Sequence, residues 1–475
     1  MAFVILIVIV VLAFRGITKP FAGLLGLLIV YIVQPGELYP VLAPLHLERT
    51  LAIFVLCSFF FHGNRFRFPL ITKWFLAFYA VMILSIPFAF WRSNSIEFCI
   101  SFAEIVVYHL MIVSMVKTEE RFNQFLITFV ALMGWLAASS AVLYAEGVRI
   151  VTMNVERASG ATSAGGDPNT LGLTLVSAMP LEFLLMLKGN SKWLKLLSLV
   201  VFGFSLLVII DTGSRTSFFA FAVCMVLIML AEWKKRLKFL PIILGLAALL
   251  WVAIPQQYKA RYETVDNLKD DDSYQNRILS WEGGVKMFEH NPVTGVGPEN
   301  YTSANGEKYW PGKPRHYLDA HSLYFKLLGE LAISGIITFG GYLFVLFRLN
   351  ARILREAKKS TRGIIARKFP LYCNIALFLL LFAGYSGHNL YRNTWYILGA
   401  MSGALGMLAP ATAAGDEELE AKPKRRQRSA LAPWLPPEAA PEDEGRKAPG
   451  PRVLAPPPER PSLPSPKPQK ESWQV

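Results

Sequence analysis

The chain has 475 residues, 53% of them hydrophobic and 17% charged, with a mean hydropathy of +0.38. Soluble domains carry about 25% charged residues, so composition excludes a soluble globular enzyme and predicts an all-α polytopic membrane protein. The net charge of +14 gathers in short loops between apolar runs, the pattern that sets membrane topology, so no nucleic-acid partner is expected.

Apolar runs predict spans at 2–14, 18–33, 48–62, 70–90, 97–116, 122–145, 169–187, 193–211, 215–232, 238–254, 321–348, 370–387 and 393–409. The first two are short, so the total is about twelve or thirteen. The opening MAFVILIVIVVLAFRG lacks the basic n-region and small-residue cleavage site of a signal peptide and is expected to be retained. Cys57, Cys99, Cys224 and Cys373 stand singly in apolar runs and read as buried small hydrophobes. Basic clusters at Arg15 to Lys19, Arg65 to Arg67, Lys188 to Lys195, Lys234 to Lys238 and Arg352 to Lys368 are expected in the cytoplasm. Alternation then carries Arg92, the 146–168 loop, Ser214-Arg215 and a long hydrophilic loop, 255–320, to the external side. Residues 1–410 read as one transmembrane domain. Prolines and charges of both signs, without apolar periodicity, predict a disordered cytoplasmic tail over 411–475. Its KPKRRQR run suits anionic membrane lipids, or simply solvent.

Four external features carry the candidate chemistry. The first, RASGATSAGGDPNTLG, joins Arg157 to a Gly-rich turn and to Asp167-Pro168-Asn169, an N-cap followed by proline at the first helical position. A capped helix start accounts for the pattern; loose glycine backbone at a helix N-terminus would also suit an anion. It lacks GxxxxGK, so it is no P-loop. The second, DTGSRTS from Asp211 to Ser217, is a polar break that a tight hairpin needs in any case. An arginine at the membrane boundary is costly unless paired or solvated, so Arg215 also reads as functional. In the third, Ile278, Trp281, Val285 and Phe288 form the packing stripe of an amphipathic helix on the membrane face, with Arg277 flanking it. The fourth is DAHSLYFKLLGE, a helix opening with His321.

A lone histidine near a helix start is usually structural. His321, however, shares one compartment with Arg157, Arg215 and Arg277. Neutral imidazole takes a proton near pH 7, and arginine binds phosphate bidentately. Together they suit transfer from a lipid-phosphate donor. Glu330, in the same helix, is expected about 13 Å along and on the opposite face, too far to orient His321. His388 in GYSGHNLYRN is the rival base; His290 and His316 also lie in external segments. There is no HExxH or G-x-S-x-G motif and no convergent cluster of acids, so neither metal nor cofactor is expected. Asp270-Asp271-Asp272 lacks EF-hand spacing and reads as a solvated turn.

Taken in order, Arg157 through DPN, GSRTS, QNRILSWEGGVKMFEHNPVTGVG and AHSLYFKLLGELAISG resemble the O-antigen ligase and polymerase family of bacterial membrane glycosyltransferases. The resemblance runs from about residue 20 to 410. QPGELYP and the overall length also look like the O-glycosylation ligases linked to exopolysaccharide or exosortase systems. The resemblance implies an all-helical, C-type glycosyltransferase of the inner membrane with a large periplasmic loop. The donor would be a glycan on undecaprenyl pyrophosphate. The acceptor would be a lipid A–core sugar in a ligase, a growing glycan in a polymerase, or a protein hydroxyl in an O-oligosaccharyltransferase. It further implies His321 as general base, Arg215, Arg277 and Arg157 as pyrophosphate ligands, and Asn169, Trp281 and Glu330 in support. One displacement would invert the anomeric centre without metal or nucleotide sugar. Ser322 stands where many members have Asn. The competing class is a flippase for lipid-linked glycans, which would need charges spread through its spans; here they gather at one face.

Overall fold

The computed structural model describes residues 7, 11, 12, 14–152, 155–163, 165–232, 272–357, 361–387 and 389–408. Most of the predicted span 2–14, the span 238–254, the start of the 255–320 loop, His388 and the 411–475 tail lie outside these residues. Within them the chain is all-α apart from one hairpin. In order come α1 (Pro20–Val33), α2 (Leu47–Phe61), α3 (Leu70–Ser85), α4 (Arg92–Met115) and α5 (Glu119–Ala145). The strands β1 (Ile150–Thr152) and β2 (Val155–Arg157) pair antiparallel, with Ile150 opposite Arg157. Then follow α6 (Pro168–Met186), α7 (Lys192–Asp211), α8 (Arg215–Ala231), α9 (Asp272–His290), α10 (Leu323–Ala357), α11 (Ile364–Gly384) and α12 (Asn393–Met407).

Nine helices among the described residues are long and apolar enough to cross a membrane, and α8 is a shorter apolar helix. The polytopic all-α expectation holds. Helix starts follow local chemistry: Thr118, Asp167, Ser191 and Ser214 each cap the helix that follows with a side-chain oxygen. The 393–409 span is the fifteen-residue α12, about 22 Å long at 1.5 Å per residue, and every side chain from Trp395 to Leu405 is buried. It is an interior helix, with Trp395 and Tyr396 packed among Phe75, Phe102 and Phe339. Of the four cysteines, Cys99, Cys224 and Cys373 are buried as expected, whereas Cys57 is exposed on α2. That helix turns an apolar side outward, Ile53, Phe54, Phe60 and Phe61 included, so hydropathy alone does not distinguish a lipid-facing position from a packed one.

The predicted continuous span 321–348 is broken. Ala332 sits at φ 49°, ψ −140° and divides α10 into a short segment carrying Lys326 and Glu330 and a long apolar one. The cause lies in the loop before it. An unbroken helix would bond the Ile333 and Ser334 N–H groups to the Gly329 and Glu330 carbonyls. Instead those carbonyls accept from Val296 and Gly297 at 2.9 Å each, while Ile333 and Ser334 donate to Pro292 at 3.2 Å and Val293 at 3.3 Å. Residues 292–297 are wedged into the helix ladder. Gly295, at φ +66°, has no room for a Cβ against the Glu330 backbone.

The connections gather at two ends of the bundle. At one end Ser95 reaches Pro298, Asn300 reaches Trp91, and Ala158 bonds Asp211. At the other, Lys117 bonds Asn64, Glu119 accepts from Gly363, and Lys368 pairs with Glu232. All four candidate features lie at the first end, and the described basic loops at the second.

Candidate active site

The first feature folds as a hairpin running into a capped helix. Asp167 Oδ1 accepts from Asn169 N–H at 2.9 Å and Thr170 N–H at 3.5 Å, and Pro168 opens α6. The glycines do not form an open cradle. Gly160 N–H bonds Gly166 O, and Gly165 and Gly166 both donate to Thr162 O. Gly160 and Gly165 meet backbone to backbone, where a Cβ on either would collide. The anion-cradle reading fails, because these donors are consumed inside the loop and at the cap.

What the loop does instead is aim Arg157. Its guanidinium is buried and donates from Nε to Thr212 O at 2.7 Å and from Nη2 to Asn169 Oδ1 at 2.7 Å. Two of the features are thereby locked together, since Thr212 belongs to the α7–α8 turn. That turn is the tight hairpin expected: Gly213 takes φ +56°, Ser214 caps α8, and Arg215, half-buried, is its first residue. Thr216 Oγ1 shares a 2.7 Å hydrogen bond with Ser386 Oγ, tying the turn to the segment after α11.

His321 does not open a helix. It lies just before α10, with a left-handed φ of 46°, a conformation costly for a non-glycine residue and concentrated at functional sites. Its neighbours hold it there. Trp281 Nε1 donates to Ala320 O at 2.8 Å, Ser280 Oγ donates to Asp319 O at 3.1 Å, and Ser322 Oγ donates to Gly384 O at 3.3 Å. Asp319 Oδ1 also accepts from Ala320 N–H at 2.7 Å. His321 lines a pocket of about 100 Å³ together with Asp167, Asn169, Ser386 and Arg392.

Helix α9 supplies this anchorage, but not by the stripe read from its sequence. Ser280, Gly283, Gly284 and Met287 are the buried positions, packed against Tyr301 and Asn305, while Ile278 and Val285 are exposed. The true contact face carries glycine and serine, which carry no hydropathy signal. Trp281 stacks on Phe325 with centroids 4.9 Å apart and meets Tyr385 edge-on. Arg277, one turn before Trp281, is half-buried.

Residues 200–340 match the family model described as O-antigen ligase. No curated protein matches the chain. The O-antigen ligase match contains Arg215, Arg277, Trp281, His321 and Glu330, whereas Arg157, Asn169 and Arg392 lie outside it and join by tertiary structure.

Beside these residues the structure adds groups that the sequence reading passed over. Lys326 is buried, and its ammonium lies 3.0 Å from Asp319 Oδ2, 3.3 Å from Glu299 Oε2 and 3.8 Å from Glu330 Oε1. Glu330 is fully buried; it accepts from Tyr391 Oη at 2.6 Å and Tyr301 N–H at 3.2 Å. The expectation that Glu330 sits on the helix face opposite His321 lapses, because His321 is outside that helix. Burial, then the Glu330 charge, push the Tyr391 phenol well above its ordinary range, so it stays a donor. Arg392 donates from Nη1 to Thr174 Oγ1 at 3.1 Å. The only forewarning of Arg392 was an arginine at the start of the last apolar run. Among the described residues no three His, Cys, Asp or Glu side chains converge as a metal site.

Proposed function

We propose that the protein transfers a glycan from undecaprenyl pyrophosphate to a hydroxyl acceptor at the periplasmic face of the bacterial inner membrane, as an O-antigen ligase. The observation that carries this reading is His321 on a small pocket with Asn169 and Arg392, the pocket being tied through Arg157 to the turn that starts at Thr212. His321 takes the proton of the acceptor hydroxyl. Its oxygen bonds the anomeric carbon as the bond from that carbon to the pyrophosphate oxygen breaks. Undecaprenyl pyrophosphate leaves with the electron pair, and the anomeric centre inverts.

Arg215 and Arg277 bind the pyrophosphate and stabilise the charge that develops on it. Such fixed cations contribute most in a site with little water. Arg157, already committed to Thr212 and Asn169, holds the Arg215 turn in place and adds its charge from behind. Trp281 fixes the peptide before His321, and Glu330 anchors the segment after it. The lipid tail of the donor lies among the apolar outer faces of the helices.

The test is to supply purified protein with an undecaprenyl-pyrophosphate glycan and a hydroxyl acceptor and to read the new linkage by NMR. An inverted linkage, formed without nucleotide sugar, is expected; retention of configuration would refute the single displacement. In a deletion strain, loss of long glycan from lipopolysaccharide with lipid-linked polymer retained marks a ligase. Glycans of one repeat unit would instead mark a polymerase.

A further inference from the structure

A second and much larger cleft adjoins the His321 pocket. It measures about 920 Å³ and shares Thr174, Arg392 and Thr394 with the smaller pocket as a common wall. Its volume falls in the range that holds small organic ligands, roughly 300–1,000 Å³. The floor is apolar, formed by Phe98, Phe102, Phe129 and Ile397 between α4, α5 and α12. The mouth is acidic. Of the cations that line it, the buried Lys326 pairs with Asp319 and Glu299, and Arg49 with Glu104 at 2.8 Å, so these two are already matched by carboxylates. Glu37 and Glu48 add negative charge at the same rim. Glu37 accepts from the Ser163 hydroxyl at 2.6 Å and its N–H at 2.7 Å, hydrogen bonds that leave its charge in place.

The backbone singles out the same cleft. Gln34, His46 and Glu299, all lining it, take left-handed φ values of 46°, 41° and 60°. With His321 beside it, four of the five non-glycine residues in that conformation among those described border the two pockets. Strain of this kind persists only where surrounding structure enforces it, and it collects at ligand sites.

Resting on the transfer reaction proposed above, we infer that this cleft is the acceptor subsite and that it selects an uncharged, hydroxyl-rich glycan over a phosphorylated one. A neutral sugar gives its hydroxyls to the rim carboxylates and its apolar face to the aromatic floor, reaching His321 past Arg392 and Thr174. A phosphate at the same place meets the exposed Glu37 and the half-buried Glu48, and like charges brought together are the usual means of rejecting a wrong partner. Arg215 and Arg277, the residues proposed to bind the pyrophosphate, are not among those that line this cleft.

The experiment uses the full chain in nanodiscs with an undecaprenyl-pyrophosphate glycan donor and two acceptors, maltotetraose and its 6-phosphate. Product from the neutral acceptor should exceed that from the phosphorylated one by about tenfold, a ratio set by charge and shrinking as salt is raised. The double variant E48Q/E299Q should narrow the ratio, and Glu48→Lys should narrow it further. Equal or better use of the phosphorylated acceptor overturns the inference, as does a ratio unmoved by either variant. If donor is never consumed, the transfer reading itself fails. The cleft is then judged by equilibrium binding of the two oligosaccharides in native mass spectrometry. Tighter binding of maltotetraose sustains it; equal binding, or none, overturns it.

Discussion

The Lys326 ammonium donates to Asp319 Oδ2 at 3.0 Å, joining the first turns of α10 to the strand of chain that ends in His321. Lys326 is also the shared partner of Glu299 and Glu330. Lys326→Met should therefore lower stability by about 3–5 kcal/mol, the cost of leaving buried carboxylates without their cation. Thermal unfolding of the purified protein checks this; an unchanged melting temperature would mean the network carries no such load.

The wedge at 292–297 makes a second, sharper prediction. Gly295→Ala places a methyl against the Glu330 backbone at a φ that alanine resists, so a loss of more than about 1 kcal/mol is expected. Gly340, with nothing near its Cβ position, is the control. Gly340→Ala should be neutral or slightly stabilising, and comparable melting of the two variants would count against the wedge.

Arg157→Lys should damage turnover. One ammonium cannot span Thr212 O and Asn169 Oδ1 as the guanidinium does, and a lost charge-assisted hydrogen bond costs about 1.5–3 kcal/mol. That corresponds to roughly a ten- to hundredfold fall in kcat/KM for the donor. A variant with wild-type kcat/KM would show that the link between α6 and the α7–α8 turn is dispensable.

Orientation is testable by labelling. A cysteine at Ser303 should react with an impermeant maleimide from the periplasm, and one at Ser429 only after the inner membrane is opened. The reverse pattern would place the pocket in the cytoplasm, away from the proposed donor and acceptor.

Much of the fold was legible because hydropathy reports length and composition, which is what a span requires. The Asp167 cap and the turn at Gly213 were legible for the same kind of reason, each depending on a local residue type. What could not be read were the features made by chain segments far apart. Lys326 lies in a helical run where a single charge looks incidental, and its carboxylate partners include Glu299 from a preceding loop. The Ala332 break depends on hydrogen bonds lent by residues 292–297, while the local sequence is compatible with an unbroken helix. The packed face of α9 was missed because glycine and serine leave no apolar pattern. His321 was picked out by its chemistry, but its strained backbone has no sequence signature.

The most direct test is a pair of histidine variants assayed for transfer from purified lipid-linked donor, with donor binding measured separately. His321→Ala should lower turnover by roughly 10²–10⁴-fold, the range expected for loss of a general base, and should leave donor binding nearly intact. His388→Ala should be mild. Near-normal turnover in His321→Ala together with loss in His388→Ala would contradict the assignment of the base, and normal transfer by both would contradict base catalysis by histidine altogether.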